Sequence, residues 1–204
     1  MKLIHIVKFY LTIITLFSSC MRKIILFNMV SLDGYFEGIN HSIDWHNVDE
    51  EFNQFAIEQL NLADILLFGR VTYELMAGYW PSATTDDPVV ASKMNTIPKI
   101  VFSHKLDTAS WKNTRLIKNN IQQEVSLLKK QPGKDLFIFG SGLLASSFRE
   151  MNLIDEYRIM VNPVILGNGK PLFSNINQTL NLKLLQIKKF KSGNILLYYE
   201  IPLS

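Results

Sequence analysis

The stretch LFIFGSGLLASSFREMNLIDEYRIMV, residues 136–161, contains one complete unit of the fold. Residues 136–139 form a short apolar run that is typical of a buried strand, and Gly140-Ser141-Gly142 predicts a tight turn after it. Residues 143–151 predict a helix, and residues 157–161 predict the next strand. A strand, a turn, a helix and a strand in this order are typical of an α/β fold.

The same alternation extends outward from this unit towards the N-terminus. The further predicted strands are residues 23–31, 65–68, 99–102 and 115–117, and the further predicted helices are residues 49–60, 71–76, 89–95 and 121–130. The C-terminal tail is different, because residues 182–190 and 195–201 are two strand-like runs joined by Lys191-Ser192-Gly193-Asn194, which predicts an antiparallel hairpin. We therefore expect an α/β domain, residues 21–204, with a mixed, mainly parallel sheet and a C-terminal antiparallel hairpin.

Composition supports one globular domain and excludes several classes of protein. Of the 204 residues, 48% are hydrophobic and 19% are charged, which is enough apolar material for a core and too little charge for disorder. The net charge of +3 is spread along the chain, so we expect no nucleic-acid partner. Cys20 is the only cysteine, which excludes an intrachain disulfide and fits a reducing compartment.

The first 20 residues are open to two interpretations. They resemble a lipoprotein signal peptide, because an apolar run at residues 9–17 precedes Ser18, Ser19 and Cys20. However, the run is shorter than the about 20 apolar residues of a membrane span, and Met21 stands directly before the first strand. We expect an N-terminal extension ahead of a cytoplasmic domain without membrane contact; the alternative is a lipid anchor on Cys20.

Three predicted strand exits carry residues that suit a phosphate. They are Gly69-Arg70-Val71-Thr72, Ser103-His104-Lys105 and Gly140-Ser141-Gly142-Leu143. In α/β sheets ligands bind beyond the carboxyl ends of the strands, where helix N-termini and cations attract anions. Each exit alone could be ordinary turn or loop chemistry. The G-x-G-x-x-A pattern at residues 140–145 does not indicate a Rossmann domain, because it follows a late strand.

At the level of motifs, residues 21–201 resemble the dihydrofolate reductase-like fold. The likeness is closer to single-domain relatives of the C-terminal reductase domain of the bifunctional riboflavin-biosynthesis deaminase/reductase. The motifs that carry it are SLDGY (31–35), FGRVTYE (68–74), GYWP (78–81), VFSHKL (101–106), FGSG (139–142) and LGNGKPLF (166–173). The resemblance implies a three-layer α/β/α architecture. The chain has no H-x-E or P-C-x-x-C motif of a zinc deaminase, so no deamination is expected.

The resemblance also implies an NADPH-dependent reductase and assigns residues to the cofactor. By this carry-over Gly69, Arg70 and Thr72 meet its phosphates, and Ser103, His104 and Lys105 lie near the adenosine 2′-phosphate. Gly140, Ser141, Gly142 and Leu143 cover the pyrophosphate. We further expect that a side chain at Gly142 would block the pyrophosphate at a modest cost in stability.

The substrate side is expected at and after the first strand. Asn28, Asp44 and Trp45 are its candidates, and Trp45 could stack on a flat heterocycle. Asp33 is the candidate catalytic residue, although it could equally be the turn partner of Gly34. His41, Asp44 and His46 are better explained as a solvated loop than as metal ligands, so no metal is expected.

The expected activity is hydride transfer to a pteridine-like or 5-amino-6-(5-phosphoribosylamino)uracil-like substrate. Two alternatives remain. One is a non-catalytic nucleotide-binding domain of the same fold, and the other is true dihydrofolate reductase activity. A small heterocyclic molecule is the expected partner, and a second copy of the chain, giving a homodimer, is a further candidate.

Overall fold

The computed structural model of the protein describes residues 21–84, 86–174 and 178–202. The first 20 residues, whose role as an extension or signal-like segment was an open question, lie outside the described residues. An eight-stranded sheet forms the centre of the described part. Its strands are β1 (Ile24–Ser31), β3 (Ala63–Gly69), β4 (Lys99–Phe102), β5 (Thr114–Ile117), β6 (Asp135–Phe139), β7 (Glu156–Asn162), β9 (Lys183–Lys189) and β10 (Ile195–Glu200).

Five α-helices accompany the sheet in the described ranges. They are α1 (Glu50–Leu62), α2 (Arg70–Tyr79), α3 (Pro88–Thr96), α4 (Ile121–Lys130) and α5 (Gly142–Glu150). The N-terminus of α1 is capped by Asp49, whose carboxylate accepts a hydrogen bond from the Phe52 amide at 2.8 Å. Asp87 caps α3 in the same way through the amides of Val89 and Val90. These caps explain why both helices begin within one residue of the predicted starts at 49 and 89.

The strand order is β5-β4-β3-β6-β1-β7-β10-β9. All neighbouring pairs from β5 to β7 are parallel, whereas β10 runs antiparallel to both β7 and β9. The predicted mixed sheet and C-terminal hairpin are therefore confirmed. Because six strands run the same way, their carboxyl ends meet at one edge of the sheet.

The helices cover both faces of the sheet and produce the expected three layers. On one face, the core contains Leu60 of α1, Tyr73 of α2 and Val90 of α3. On the other face, Val125 of α4 and Phe148 of α5 pack against the sheet. β1 lies inside this sandwich, and all eight of its residues are buried.

A two-stranded ribbon was not predicted from the sequence. It pairs β2 (Tyr35–Glu37) with β8 (Lys170–Pro171) in antiparallel fashion. Both strands are too short for a hydrophobic period to be recognised in the sequence. The ribbon follows the carboxyl end of β1 and packs Phe36 and Leu172 against Val30.

No helix in the described ranges is long and apolar enough to cross a lipid bilayer.

Candidate cofactor and substrate site

The three strand exits predicted to suit a phosphate lie side by side. Gly69 at the end of β3 is in register with Phe102 at the end of β4, so Ser103 follows directly beside it. On the other side of β3, Leu67 is in register with Ile138 of β6, which brings Gly140 level with Gly69. The parallel pairing of β4, β3 and β6 thus places all three exits on one edge of the sheet.

The N-termini of α2 and α5 meet at this edge. The Gly69 amide donates a hydrogen bond to the Ser141 hydroxyl at 3.0 Å. Ser141 is in the left-handed region, with a φ of 62°, and its hydroxyl therefore binds the neighbouring exit instead of capping its own helix. Within the described residues no side chain caps either α2 or α5. The positive dipole ends of both helices thus lie at this edge of the sheet, and their first-turn amides have no side-chain acceptor from an N-cap.

Gly140 connects the two helices with the first strand. Its φ of 65° favours glycine, and an added Cβ would lie 3.2 Å from Cγ2 of Thr72. Its carbonyl accepts a hydrogen bond from Nδ2 of Asn28 at 3.1 Å. Asn28, a candidate for the substrate side, is therefore in direct contact with the glycine turn assigned to the cofactor.

The role expected of Gly142 needs correction. An added Cβ would lie 2.7 Å from Cε1 and 2.9 Å from Cζ of Phe36, so the ring of Phe36 already occupies the space beside this glycine. The expectation that a side chain here would cost little stability is wrong, since the buried ring would have to move. Leu143, the next residue, is 59% exposed at the start of α5.

The candidate 2′-phosphate residues lie around the exits of β3 and β4. NH1 of Arg70 is 2.7 Å from Oε2 of Glu74, one turn further along α2. The Ser103 hydroxyl accepts hydrogen bonds from the amides of Lys105 and Leu106 at 3.0 and 3.1 Å. His104 and Lys105 are exposed. The exits of β3 and β4 thus leave the cations of Arg70 and Lys105 accessible to solvent. The Ser103 hydroxyl lies at the exit of β4, and its two acceptor positions are already used by backbone amides.

Asp33 joins the first turn to the loop that precedes β8. One carboxylate oxygen accepts from the Leu166 amide at 3.1 Å and the other from the Gly167 amide at 2.8 Å. A hydrogen bond from the Ser31 hydroxyl, supported by these amides, holds the pKa of Asp33 below its ordinary value. Asp33 is therefore ionised at neutral pH and organises the loop.

Asp44 and Trp45 lie in the loop between β2 and α1. Asp44 is exposed and accepts a long hydrogen bond from the Ser42 hydroxyl at 3.4 Å, and Nε1 of Trp45 donates to the Ser42 carbonyl at 3.2 Å. The Trp45 ring is half-buried and meets the ring of His46 edge to face at 4.4 Å. His41, Asp44 and His46 do not form a metal site, since the described residues contain no cluster of three potential ligands.

This loop is anchored to the other end of the chain through Asn47. The Asn47 amide donates to Oδ1 of Asn162 at 3.0 Å, and its carbonyl accepts from Nδ2 of Asn194 at 3.0 Å. Nδ2 of Asn47 also donates to the Ser192 carbonyl at 3.2 Å. The turn at residues 191–194, predicted only as the hairpin connection, therefore lies against the loop that carries Asp44 and Trp45.

Three buried polar atoms near this contact have no hydrogen-bond partner among the described residues. They are Nε2 of His46, Oγ of Ser192 and Oδ1 of Asn194. Burial without a countercharge lowers the pKa of His46 to about 4, so its imidazole is neutral at pH 7. These donors and acceptors are all uncharged, and an unpaired buried polar group calls for a further partner.

Sequence reasoning missed two further features around the site. Glu37 is 8% exposed and pairs with Nδ1 of His41 at 3.0 Å and Nζ of Lys170 at 3.3 Å. Phe36 occupies the space next to Gly142. An apolar residue followed by a carboxylate in a three-residue segment carries no recognisable periodicity, so only the folded chain reveals these contacts.

Comparison with known proteins agrees with the observed fold. The architecture is that of the dihydrofolate reductase-like α/β proteins. The chain belongs to the RibD C-terminal domain family, whose model matches residues 22–196. It is thus a relative of the riboflavin-biosynthesis reductases.

The similar proteins span most of this chain. The uncharacterized Bacillus subtilis protein YyaP is 36% identical over 185 residues, which cover 88% of this chain and 95% of YyaP. A Shewanella structure named for riboflavin biosynthesis is 24% identical and has a TM-score of 0.70, with coverage of 89% of this chain and 99% of that one. The Thermotoga maritima deaminase/5-amino-6-(5-phosphoribosylamino)uracil reductase is 14% identical, with a TM-score of 0.65 and coverage of 89% and 57%.

Proposed function

We propose that the protein is an NADPH-dependent reductase that transfers hydride to a flat nitrogen heterocycle. The substrate class is that of 5-amino-6-(5-phosphoribosylamino)uracil or a pteridine. The observation that carries the proposal is the meeting of two uncapped helix N-termini, α2 and α5, at adjacent parallel strands, joined by the hydrogen bond from Gly69 to Ser141. Family membership supports the reductase class.

The residues at these N-termini fit a pyrophosphate. The first-turn amides of α2 and α5 can donate to phosphate oxygens, and the two helix dipoles stabilise negative charge there. Gly69 has no side chain in the space between the helices, and Thr72 adds a hydroxyl in the first turn of α2. The backbone amides at the starts of α2 and α5 would thus hold a dinucleotide cofactor by its central pyrophosphate.

The 2′-phosphate would be bound next to the exits of β3 and β4. The lone pairs of the Ser103 hydroxyl are engaged by the amides of Lys105 and Leu106, which leaves its own proton available to a phosphate oxygen. Arg70 and Lys105 would supply the positive charge. Each charge-assisted hydrogen bond is worth about 1.5 to 3 kcal/mol, which corresponds to a preference for NADPH over NADH of roughly 10- to 100-fold or more per contact.

The substrate would lie on the side of β1, the β2–α1 loop and the 191–194 turn. When bound, NADPH supplies the hydride. The protein would position the cofactor and the substrate and provide the polar surroundings of the reaction. Trp45 offers a half-buried ring on which a flat heterocycle would stack. The ionised Asp33 is a poor acid, so an ordered water is the proposed proton source.

The direct test is substrate-dependent oxidation of NADPH, together with titration calorimetry of NADPH and NADH. We expect oxidation with the aminouracil or a pteridine and tighter binding of NADPH. Arg70→Gln and Lys105→Gln should weaken NADPH binding more than NADH binding. Lys112 is an exposed lysine before β5, and Lys112→Gln should change neither affinity.

Binding without turnover of any heterocycle would indicate the non-catalytic nucleotide-binding alternative, and turnover of dihydrofolate alone would indicate a dihydrofolate reductase. Absence of binding would overturn the proposal.

A further inference from the structure

A buried carboxylate, Glu37, holds a histidine at the start of the loop between β2 and α1. The Glu37 side chain is 10% exposed, and its Oε1 lies 3.0 Å from Nδ1 of His41 and 3.3 Å from Nζ of Lys170. The Lys170 ammonium compensates the charge of the carboxylate, and a carboxylate only accepts hydrogen bonds. Nδ1 of His41 therefore carries a proton and donates a hydrogen bond to Glu37, which leaves Nε2 as the nitrogen that exchanges protons with its surroundings.

The backbone at His41 is held in an unusual conformation. Asn40 and His41 have φ values of 57° and 61°, in the left-handed region that residues other than glycine seldom adopt. Such a conformation persists only where surrounding contacts fix it, and it clusters at functional sites. Here the contact with Glu37 fixes the imidazole, while the His41 side chain remains 51% exposed and accessible to solvent.

The turn that carries His41 also supports the ring of Trp45. The Gly38 amide donates to the Ser42 carbonyl at 2.8 Å, and the same carbonyl accepts a hydrogen bond from Nε1 of Trp45 at 3.2 Å. An added Cβ at Gly38 would lie 3.8 Å from Nε1 of Trp45, so the indole packs against the backbone of this turn. One closed turn thus holds both the imidazole of His41 and the ring proposed to stack on the substrate.

Building on the proposed function, we propose that His41 supplies the proton that the reduction consumes, through the ordered water, and that Glu37 positions its imidazole. Asp33 is ionised at neutral pH and His46 is neutral there, so neither is an acid that could supply this proton. His41 is the other histidine of the β2–α1 loop. An imidazole hydrogen-bonded to a carboxylate through Nδ1 is an arrangement suited to proton transfer at Nε2.

The proton and the electrons of the step balance as follows. The acceptor carbon of a C=N bond gains the hydride that NADPH supplies, and the π electron pair of that bond moves to the nitrogen. The nitrogen takes a proton from the ordered water, and the water takes one from Nε2 of the His41 imidazolium. The neutral imidazole keeps its Nδ1 proton on Glu37 and regains the Nε2 proton from solvent, to which it is exposed.

The experiment measures NADPH oxidation by the full chain with the heterocycle that the wild type reduces, 5-amino-6-(5-phosphoribosylamino)uracil or a pteridine. His41→Gly removes the imidazole and suits the left-handed backbone, so the fold should be kept. It should lower kcat about 100-fold and leave KM and the affinity for NADPH unchanged, and added imidazole should restore part of the lost rate. Glu37→Gln should lower kcat without rescue by imidazole. Asn40→Gly, the same change at the preceding left-handed residue, is the matched control and should keep the wild-type rate.

The outcomes separate this inference from the proposed function. If His41→Gly keeps the wild-type kcat, or changes only KM or the affinity for NADPH, the role of His41 is overturned while the proposed function stands. An equal loss of rate in Asn40→Gly, or a loss in His41→Gly that imidazole does not restore, would also overturn it, since the shape of the loop would then explain the effect. If the wild type reduces no heterocycle, both proposals fail.

Discussion

Two glycines at the candidate cofactor site differ in what surrounds them. An added Cβ at Gly69 would lie 3.5 Å from Cβ of Leu144, which is an ordinary contact, and the backbone there is extended, with a φ of −79°. At Gly142 the same addition would meet the Phe36 ring at 2.7 Å. Gly69 is therefore free to change without harm to the fold, whereas Gly142 is required by packing.

This contrast gives a prediction for two alanine variants. Gly69→Ala should keep the stability of the wild type or raise it slightly, and it should weaken NADPH binding about tenfold, since the methyl group narrows the space between the two helix N-termini. Gly142→Ala should lower the free energy of unfolding by about 1 to 3 kcal/mol, because the ring must shift in a packed environment. Urea unfolding and calorimetry measure both. A Gly69→Ala protein that binds NADPH normally would place the pyrophosphate elsewhere.

At the scale of elements, the loop between β2 and α1 is held in place by other parts of the chain. It contacts Asn162 at the end of β7 and the turn before β10 through Asn47, and it places His46 in a half-buried position. The neutral imidazole suits this position, since a charged one would lose hydration without gaining a carboxylate. Docking of this loop should therefore depend on pH.

The direction of the pH dependence of stability follows from the pKa of His46, which burial lowers from 6.5 to about 4. As the pH falls below 6.5, the unfolded chain takes up the proton before the folded chain does, so stability decreases until about pH 4. We expect a loss on the order of 2 kcal/mol between pH 7 and 4.5. His46→Phe, which keeps a ring against Trp45, should flatten this part of the pH profile, and the exposed His104→Gln should leave it unchanged. A wild-type profile that persists in His46→Phe would contradict this assignment.

At the scale of the whole molecule, the candidate site is assembled by topology. β6 lies between β3 and β1 in the sheet, although β3, β4 and β5 all stand between β1 and β6 in the chain. This return of the chain brings the exits of β3 and β6 together and places the exit of β1 beside them. A ligand bound at this edge contacts several elements at once and should stabilise the entire fold.

We therefore expect NADPH to raise the melting temperature. At a ligand concentration 100 times the Kd, the native state gains about 2.7 kcal/mol, which corresponds to a shift of roughly 5 to 11 °C for a domain of this size. NADH at the same concentration should produce a smaller shift. Differential scanning fluorimetry measures both; equal shifts would remove the 2′-phosphate assignment, and no shift would contradict dinucleotide binding.

The order of the elements could be predicted from the sequence because it depends on local chemistry. The predicted bounds of β4 and α4, residues 99–102 and 121–130, agree with the structure, since an apolar run and a helical period each stand between clear turn residues. The mixed sheet and its C-terminal hairpin were predicted for the same reason. The candidate phosphate residues could also be named, because glycine, arginine and hydroxyl residues follow recognisable strands.

The tertiary structure alone decided which of these residues are neighbours. Pairing of strands that are distant in the chain leaves no local pattern, so the position of β6 between β3 and β1 could not be predicted. The β2–β8 ribbon is too short to show a period, and the contact of Phe36 with Gly142 depends on it. Sequence by itself determined the longer helices and strands and the chemistry at their ends. Packing of the sheet determined which ends meet, because long-range contacts are formed by burial of whole faces.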